Sequence, residues 1–121
     1  MSTTTTAAFD LAALIAAVEA DDPAGQAAAY AQDAVIEIQN RDHGPADPLV
    51  LNGRDAVRAL LEDVASRKLE HRVQRSVADG RTGALQVLCR YPEGSSVICS
   101  TAFDIQDGQI TRETRLEVWD D

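Results

Sequence analysis

His71, in the run Leu69-Glu70-His71-Arg72-Val73, is the side chain of this sequence best suited by type to proton chemistry. Histidine is the residue whose ordinary titration, near ~6.5, lets it act as a general base at neutral pH. A second group lies near the C-terminal end, where Glu113, Arg115 and Glu117 alternate along one face of a strand-like run. If that face lines a cavity, the cavity is polar, and Arg115 or Arg90 would bind an oxygen of a hydroxylated or carboxylated ligand. The same residues also make a cross-strand ion-pair ladder with Arg90 that needs no substrate. Several such charges cannot be buried unpaired. His43 falls in the turn-like run Arg41-Asp42-His43 and reads equally as a solvated turn residue. Cys89 and Cys99, or His43 and His71 with nearby aspartates, match no metal-ligand spacing, so no metal site and no cofactor are expected. The two cysteines lie in strand-like runs, are too few for a disulfide scaffold, and are read as reduced.

The elements that must position these groups follow from periodicity. Leu11, Leu14, Ile15 and Val18 recur at the helical spacing and mark an amphipathic helix. Asp22 followed by Pro23 is a good helix start, and a second helix reaching Asp33 is expected to carry Ala27, Ala28, Tyr30 and Ala31. Val35 to Ile38 reads as a strand. Gln39 to Leu51, with Gly44, Pro45 and Pro48, reads as an irregular loop long enough to be a lid. Asn52 is expected to cap a third helix bearing Val57, Leu60, Leu61 and Val64. From Leu69 the period becomes two, and turn signals at Asp79-Gly80, Pro92 to Ser96 and Asp107-Gly108 divide four strands, about 69–78, 83–91, 96–105 and 109–119. Helices first and a strand meander last bury their apolar faces only if a curved sheet wraps the helices. The expected fold is therefore α+β: a cone-shaped, curved, mixed or antiparallel sheet around three helices. Such a cone is a container.

Composition bounds the function. At 121 residues the chain has room for one core, read as a single domain over residues 9–121 behind a frayed segment 1–8. With 45% hydrophobic and 26% charged residues it is an ordinary globular chain. A net charge of −9 repels phosphate backbones and anionic lipid, and no basic stripe offsets it, so nucleic acid is not expected as a partner. Neither a secretory signal nor a membrane span is read from the N-terminal stretch, and a cytoplasmic location follows by default.

Three signposts carry a resemblance: Tyr30-Ala31-Gln32-Asp33-Ala34-Val35, Gly53-Arg54-Asp55-Ala56-Val57 and Asp107-Gly108-Gln109-Ile110 before the last strand. In order and spacing they resemble the nuclear transport factor 2-like (NTF2-like) superfamily, most closely its SnoaL-like branch. Ketosteroid isomerase, limonene epoxide hydrolase, scytalone dehydratase and polyketide cyclase-like proteins are relatives. The resemblance covers nearly the whole chain and implies a cone, often dimeric through the outer sheet face, that holds a small hydrophobic molecule. It also suggests one strand parity. Ile36, Ile38 and Asn40; Leu69, His71 and Val73; Gln86, Leu88 and Arg90; Val97, Cys99, Thr101 and Phe103; and Glu113, Arg115, Glu117 and Trp119 would then face the cavity. Leu85, Val87, Cys89, Ile98, Leu116 and Val118 would face out and form a homodimer surface. The inverted parity makes those same residues the core. Under either parity Cys89 and Cys99 point to opposite faces, which argues against a bridge between them.

The resemblance also implies which chemistries the chain has lost. The ketosteroid isomerase positions correspond to Ile38, Leu14 and Cys99, none of which can replace that enzyme's acid and base. The limonene epoxide hydrolase positions correspond to Arg90, Pro92 and Arg115, where only the arginine remains. The dehydratase pattern fits better: His71 stands at the base position, and Glu19 at the carboxylate that orients it, with Asp21 and Asp22 as near alternatives. The implied catalytic set is thus His71, Glu19, Arg90 and Arg115. The implied substrate wall comprises Ile38, Asn40, Gln86, Leu88, Cys99, Thr101, Phe103, Glu113, Glu117 and Trp119. Three classes follow: a cofactor-free lyase, isomerase, cyclase or epoxide hydrolase acting on a small apolar or partly hydroxylated metabolite; a noncatalytic ligand-binding module; or a dimeric accessory protein whose cavity is filled by its own side chains.

Overall fold

The change of hydrophobic period near Leu69 marks where helices give way to the strand meander, and the computed structural model, which describes residues 8–120, follows it closely. Helix α1 (Leu11–Glu19) starts where the Asp10 side chain accepts a hydrogen bond from the Ala13 amide, and it buries Leu14, Ala17 and Val18. Helix α2 is only Pro23–Ala27. Strand β1 (Tyr30–Gln39) and the short β2 (Leu49–Asn52) precede α3 (Arg54–Ser66). Strands β3 (Glu70–Ala78), β4 (Thr82–Arg90), β5 (Ser96–Gln106) and β6 (Gln109–Asp120) form the meander.

All six strands join one curved sheet in the order β2-β1-β6-β5-β4-β3. The meander is antiparallel throughout, whereas β1 lies parallel to β6 and antiparallel to β2. The sheet is thus mixed, and the fold is the α+β roll expected. The helices cover its inner face, and side chains from both layers join in one core around Leu14, Tyr30, Ile36, Val57, Leu61 and Ile110.

Three local expectations are corrected. The second helix does not reach Asp33: Tyr30 already pairs with Ile110, and the Ile110 amide donates to the Ala29 carbonyl at 2.8 Å. Tyr30, Ala34, Ile36 and Ile38 share one parity and are all buried, but over the first few residues a strand period and a helix period pick out the same side chains. The segment before α3 is not wholly irregular, because Leu49 to Asn52 pairs with Ile38 to Val35 and forms an edge strand. Nor does Asn52 cap α3. Gly53 occupies the cap position at φ +93°, with no side-chain cap bond, and its amide donates to the Ala34 carbonyl at 2.7 Å. That left-handed backbone is one glycine adopts without strain. The frayed segment proposed for residues 1–8 lies, except for Ala8, outside the described residues. Among the described residues no helix is long and apolar enough to cross a membrane.

Candidate functional site

Sheet register arranges the inner face in rows. At the open end His71, Cys89, Val97 and Trp119 are successive partners across β3, β4, β5 and β6. The next row in is Val73, Val87, Cys99 and Glu117. Then come Leu85, Thr101, Arg115 and, across the parallel pair, Ile38 and Leu49. The innermost row is Gly83, Phe103, Glu113, Ile36 and Leu51. The outer three rows apart from Val73, with Glu113 of the innermost row, Leu14 and Val18 of α1 and Leu60, Leu61 and Val64 of α3, border a cavity of about 280 Å³.

The innermost row closes the cone. A Cβ on Gly83 would lie 2.4 Å from the Phe103 ring, so the absence of a side chain there is what lets that ring fill the narrow end, where it also packs on Phe9 at 5.6 Å between centroids. Phe103 is therefore core and does not border the cavity.

Glu113 is only 2% exposed, and a buried carboxylate needs both charge and hydrogen-bond partners. Tyr30 supplies one: its hydroxyl donates to Glu113 Oε1 at 2.6 Å. Arg115 supplies the other, donating from Nη2 and Nε to Oε2 at 2.8 and 3.1 Å. Burial, reinforced by the Glu113 charge, pushes the Tyr30 hydroxyl well above its usual range. Burial works against the Arg115 charge, but the attraction of Glu113 and its neighbours outweighs it, so the guanidinium is firmly protonated. Glu117, one row further out, accepts from Asn40 Nδ2 at 2.9 Å through Oε1. Asn40 in turn is fixed by the loop it closes, its Oδ1 accepting from the amides of Asp42 and His43 at 2.9 Å each. Trp119 finishes the column at the open end, flanked by Tyr91 at 5.4 Å between ring centroids and by the Arg41 guanidinium 4.9 Å from its ring.

His71 occupies the facing wall, its side chain 8% exposed. Its Nε2 is 3.0 Å from Asp21 Oδ1 and its Nδ1 is 3.0 Å from the Cys89 sulfur. The imidazole is thus paired with a carboxylate, but with Asp21 and not with Glu19. The chain leaves α1 in the left-handed region at Asp21 (φ +54°), which turns that carboxylate inward. Glu19 is exposed and accepts from the Val73 amide at 3.0 Å, satisfying a donor of the edge strand β3 where its register slips.

The parity expected for β4 is inverted. Gly83, Leu85, Val87 and Cys89 are buried; Arg90 is exposed, and Gln86 and Leu88 also lie on the outer face, where Gln86 donates to Gln74 at 2.8 Å. Burying the set that carries Gln86 and Arg90 would strand polar groups in an apolar layer, and that cost was legible in the sequence. Arg90, Gln86 and Leu88 therefore leave the site. Ile38, Asn40, Cys99, Thr101, Glu113, Arg115, Glu117, Trp119 and His71 do border the cavity. The inversion also places Cys89 and Cys99 on the same face, diagonal to each other across the β4–β5 ladder, against the expectation of opposite faces. Both are free thiols. Sequence reasoning gave Asp21 only as an alternative and missed the Tyr30 hydroxyl and Cys89 as polar members of this cluster. Among the described residues no group of histidines, cysteines and carboxylates is arranged to hold a metal ion.

A curved mixed sheet wrapped over helices is the α+β fold of solved NTF2-like and cystatin-like proteins. Within that class the chain belongs to the SnoaL-like domain family, whose model matches residues 11–113. It is similar in structure to an NTF2-like protein of unknown function from Mesorhizobium loti, at 20% identity and TM-score 0.74, over 87% of this chain and 84% of that one. A putative ketosteroid isomerase from Kribbella flavida gives 18% identity and TM-score 0.72 over 91% of this chain and 74% of that one. The epoxide hydrolase/cyclase-like enzyme SalBIII of pyran ring formation in salinomycin gives 19% and 0.67 over 89% and 87%. These likenesses are of fold. No functionally curated protein matches the chain.

Proposed function

We propose that this chain is a cofactor-free enzyme that performs general acid–base chemistry on a small, largely apolar molecule carrying an oxygen function. The reaction class is isomerisation, elimination, cyclisation or epoxide opening. The observation that carries this reading is the pairing, on one wall of an apolar cavity, of a held guanidinium with a carboxylate that has an oxygen to spare. Glu113 and Tyr30 fix Arg115 so that its remaining N–H groups can polarise a carbonyl, hydroxyl or epoxide oxygen. Glu117 has one oxygen held by Asn40, and among the described residues nothing bonds the other. In this reading Glu117 takes the proton. Both nitrogens of His71 are engaged, so the imidazole acts through its neighbours and not directly on the substrate. Names borne by relatives, isomerase and epoxide hydrolase/cyclase, support chemistry of this kind.

The test is a panel of small epoxides, β-hydroxy ketones and enolisable ketones in deuterium oxide, followed by mass spectrometry for opening, water loss or α-deuteration. Glu117→Gln and Arg115→Met should each reduce turnover of whichever compound reacts, by about 10²-fold or more. A substrate turned over equally well by both variants would refute the assignment. A compound that binds in the cavity without any product would favour the noncatalytic alternative.

The reading includes a homodimer. Leu88, Ile98 and Val118 are register partners on the outer face, Leu116 lies beside them, and Val118 is 67% exposed. A contiguous apolar strip of that kind supports burial against a second copy.

A further inference from the structure

His71 and Cys89 are register partners on β3 and β4, and both border the cavity. Side chains so placed stand about 5 Å apart at Cβ, within the span of an imidazole. The His71 ring closes the gap: its Nδ1 lies 3.0 Å from the Cys89 sulfur. Its Nε2 lies 3.0 Å from Asp21 Oδ1, a carboxylate carried inward by the left-handed residue after α1. A nucleophile within reach of a base, with the base aimed by a third group, is the arrangement that activates a weak nucleophile. We infer that Cys89, His71 and Asp21 form a nucleophilic triad on the cavity wall, and that Cys89 adds covalently to small α,β-unsaturated carbonyl compounds.

The proton positions follow from what each group can do. An ionised carboxylate only accepts, so Nε2 carries the ring proton and donates to Asp21. The neutral ring then presents a lone pair at Nδ1, which accepts from the Cys89 thiol. Cys89 is 5% exposed, and the cost of a buried charge keeps its sulfur protonated at rest. Its proton therefore leaves during attack and not before it. His71 takes that proton, and Asp21 stabilises the imidazolium. Cys99 borders the same cavity, but the imidazole is bonded to Cys89 and not to Cys99.

The surroundings select the electrophile. Strand β4 is paired on both sides at Cys89, with His71 of β3 and Val97 of β5, so its amides are spent in the sheet and are not free to hold the oxyanion of acyl transfer. Addition to an electron-poor double bond has no such need beside the sulfur, because the proton returns to the carbon next to the one attacked. The Cys89 sulfur bonds the β-carbon as the thiol proton passes to His71 Nδ1, and the π electrons move toward the carbonyl oxygen as an enolate. Nδ1 then gives the proton to the α-carbon. One sulfur–hydrogen bond and one π bond are broken; one carbon–sulfur and one carbon–hydrogen bond are formed. The product is a thioether, no outside reagent is consumed, and His71 and Asp21 regain their starting states. Leu69, Val87 and Val97 on the same wall suit a small apolar electrophile.

The inference goes beyond the acid–base reading and does not depend on turnover at Glu117, because the adduct is read on the protein itself. Wild-type protein is treated with methyl vinyl ketone, adduct formation is timed by intact-protein mass spectrometry, and the site is mapped on peptides. The first adduct is expected on Cys89, ahead of Cys99. His71→Gln, which removes the base and keeps a side chain of similar size, should slow labelling of Cys89 by about 10²-fold while labelling of Cys99 at higher reagent keeps its wild-type rate. If His71→Gln does not fold by circular dichroism, Asp21→Asn, which removes the charge that steadies the imidazolium, should slow Cys89 by about tenfold or more with the same selectivity. First labelling at Cys99, no adduct on the folded protein, an undiminished rate at Cys89 without its base, or equal slowing of both thiols would each overturn the inference.

Discussion

Replacing Glu113 with glutamine isolates the electrostatic support of the site, because the amide keeps the carboxylate's size while removing its charge. Glu113 is 2% exposed, and the side chain of its partner Arg115 is 15% exposed. The substitution therefore leaves a guanidinium largely out of water with its nearest neutralising charge gone. Breaking one side of such a buried pair costs about 3–5 kcal/mol. For a domain of this size that corresponds to a fall in Tm on the order of 10–20 °C. Tyr30→Phe should cost less, about 1–2 kcal/mol, because Glu113 loses one hydrogen bond and keeps its counter-charge. The decisive measurement is a double-mutant cycle by urea denaturation. Glu113→Gln/Arg115→Met should be more stable than Glu113→Gln alone, since the orphaned charge is gone. A Glu113→Gln protein within about 1 kcal/mol of wild type, or a double mutant as unstable as the sum of its single changes, would refute the argument that this pair is a mutually dependent buried unit.

The raised Tyr30 hydroxyl has a pH consequence: its contribution is fully present below pH 10 and is lost as the pH rises toward its elevated folded value, since the unfolded chain ionises first. Alkaline unfolding monitored by circular dichroism should accordingly be shallower in Tyr30→Phe, and identical slopes would contradict the burial. Gly83→Ala should overpack the narrow end against Phe103 and cost about 1–3 kcal/mol; unchanged thermal stability would show that the ring gives way freely. Val118→Glu and Leu116→Glu should each convert a dimer to monomer by light scattering, and a monomeric wild type would end that proposal.

The shape of this protein was more legible than its chemistry because shape is written in periods of several residues. Leu11, Leu14, Ile15 and Val18, and then Val57, Leu60, Leu61 and Val64, could only be helices, and the four-strand meander emerged within a residue or two of its bounds. Where two periods coincide the reading failed, as at Tyr30. It failed again for Leu49 to Asn52, whose edge strand is held by pairing with β1 and not by its own residues. Side-chain direction was the harder question. On β6 the charges of Glu113, Arg115 and Glu117 set one parity and the apolar Leu116 and Val118 the other; on β4, both sets contain apolar residues, and only the cost of burying Gln86 and Arg90 decides between them. The partner of His71 turned on one left-handed residue after α1, and no spacing rule reports that Asp21 takes that conformation.

Placing β6 between β1 and β5 has a consequence for synthesis on the ribosome. The middle of the sheet emerges last, so until Gln109 onward leaves the exit tunnel the nascent chain holds two unjoined fragments, an N-terminal helical piece with β1 and β2 and a three-strand meander. Each then offers a bare strand edge where the other should dock. Tyr30 waits throughout translation for a carboxylate made 83 residues later, and the pocket comes into being with the final strand.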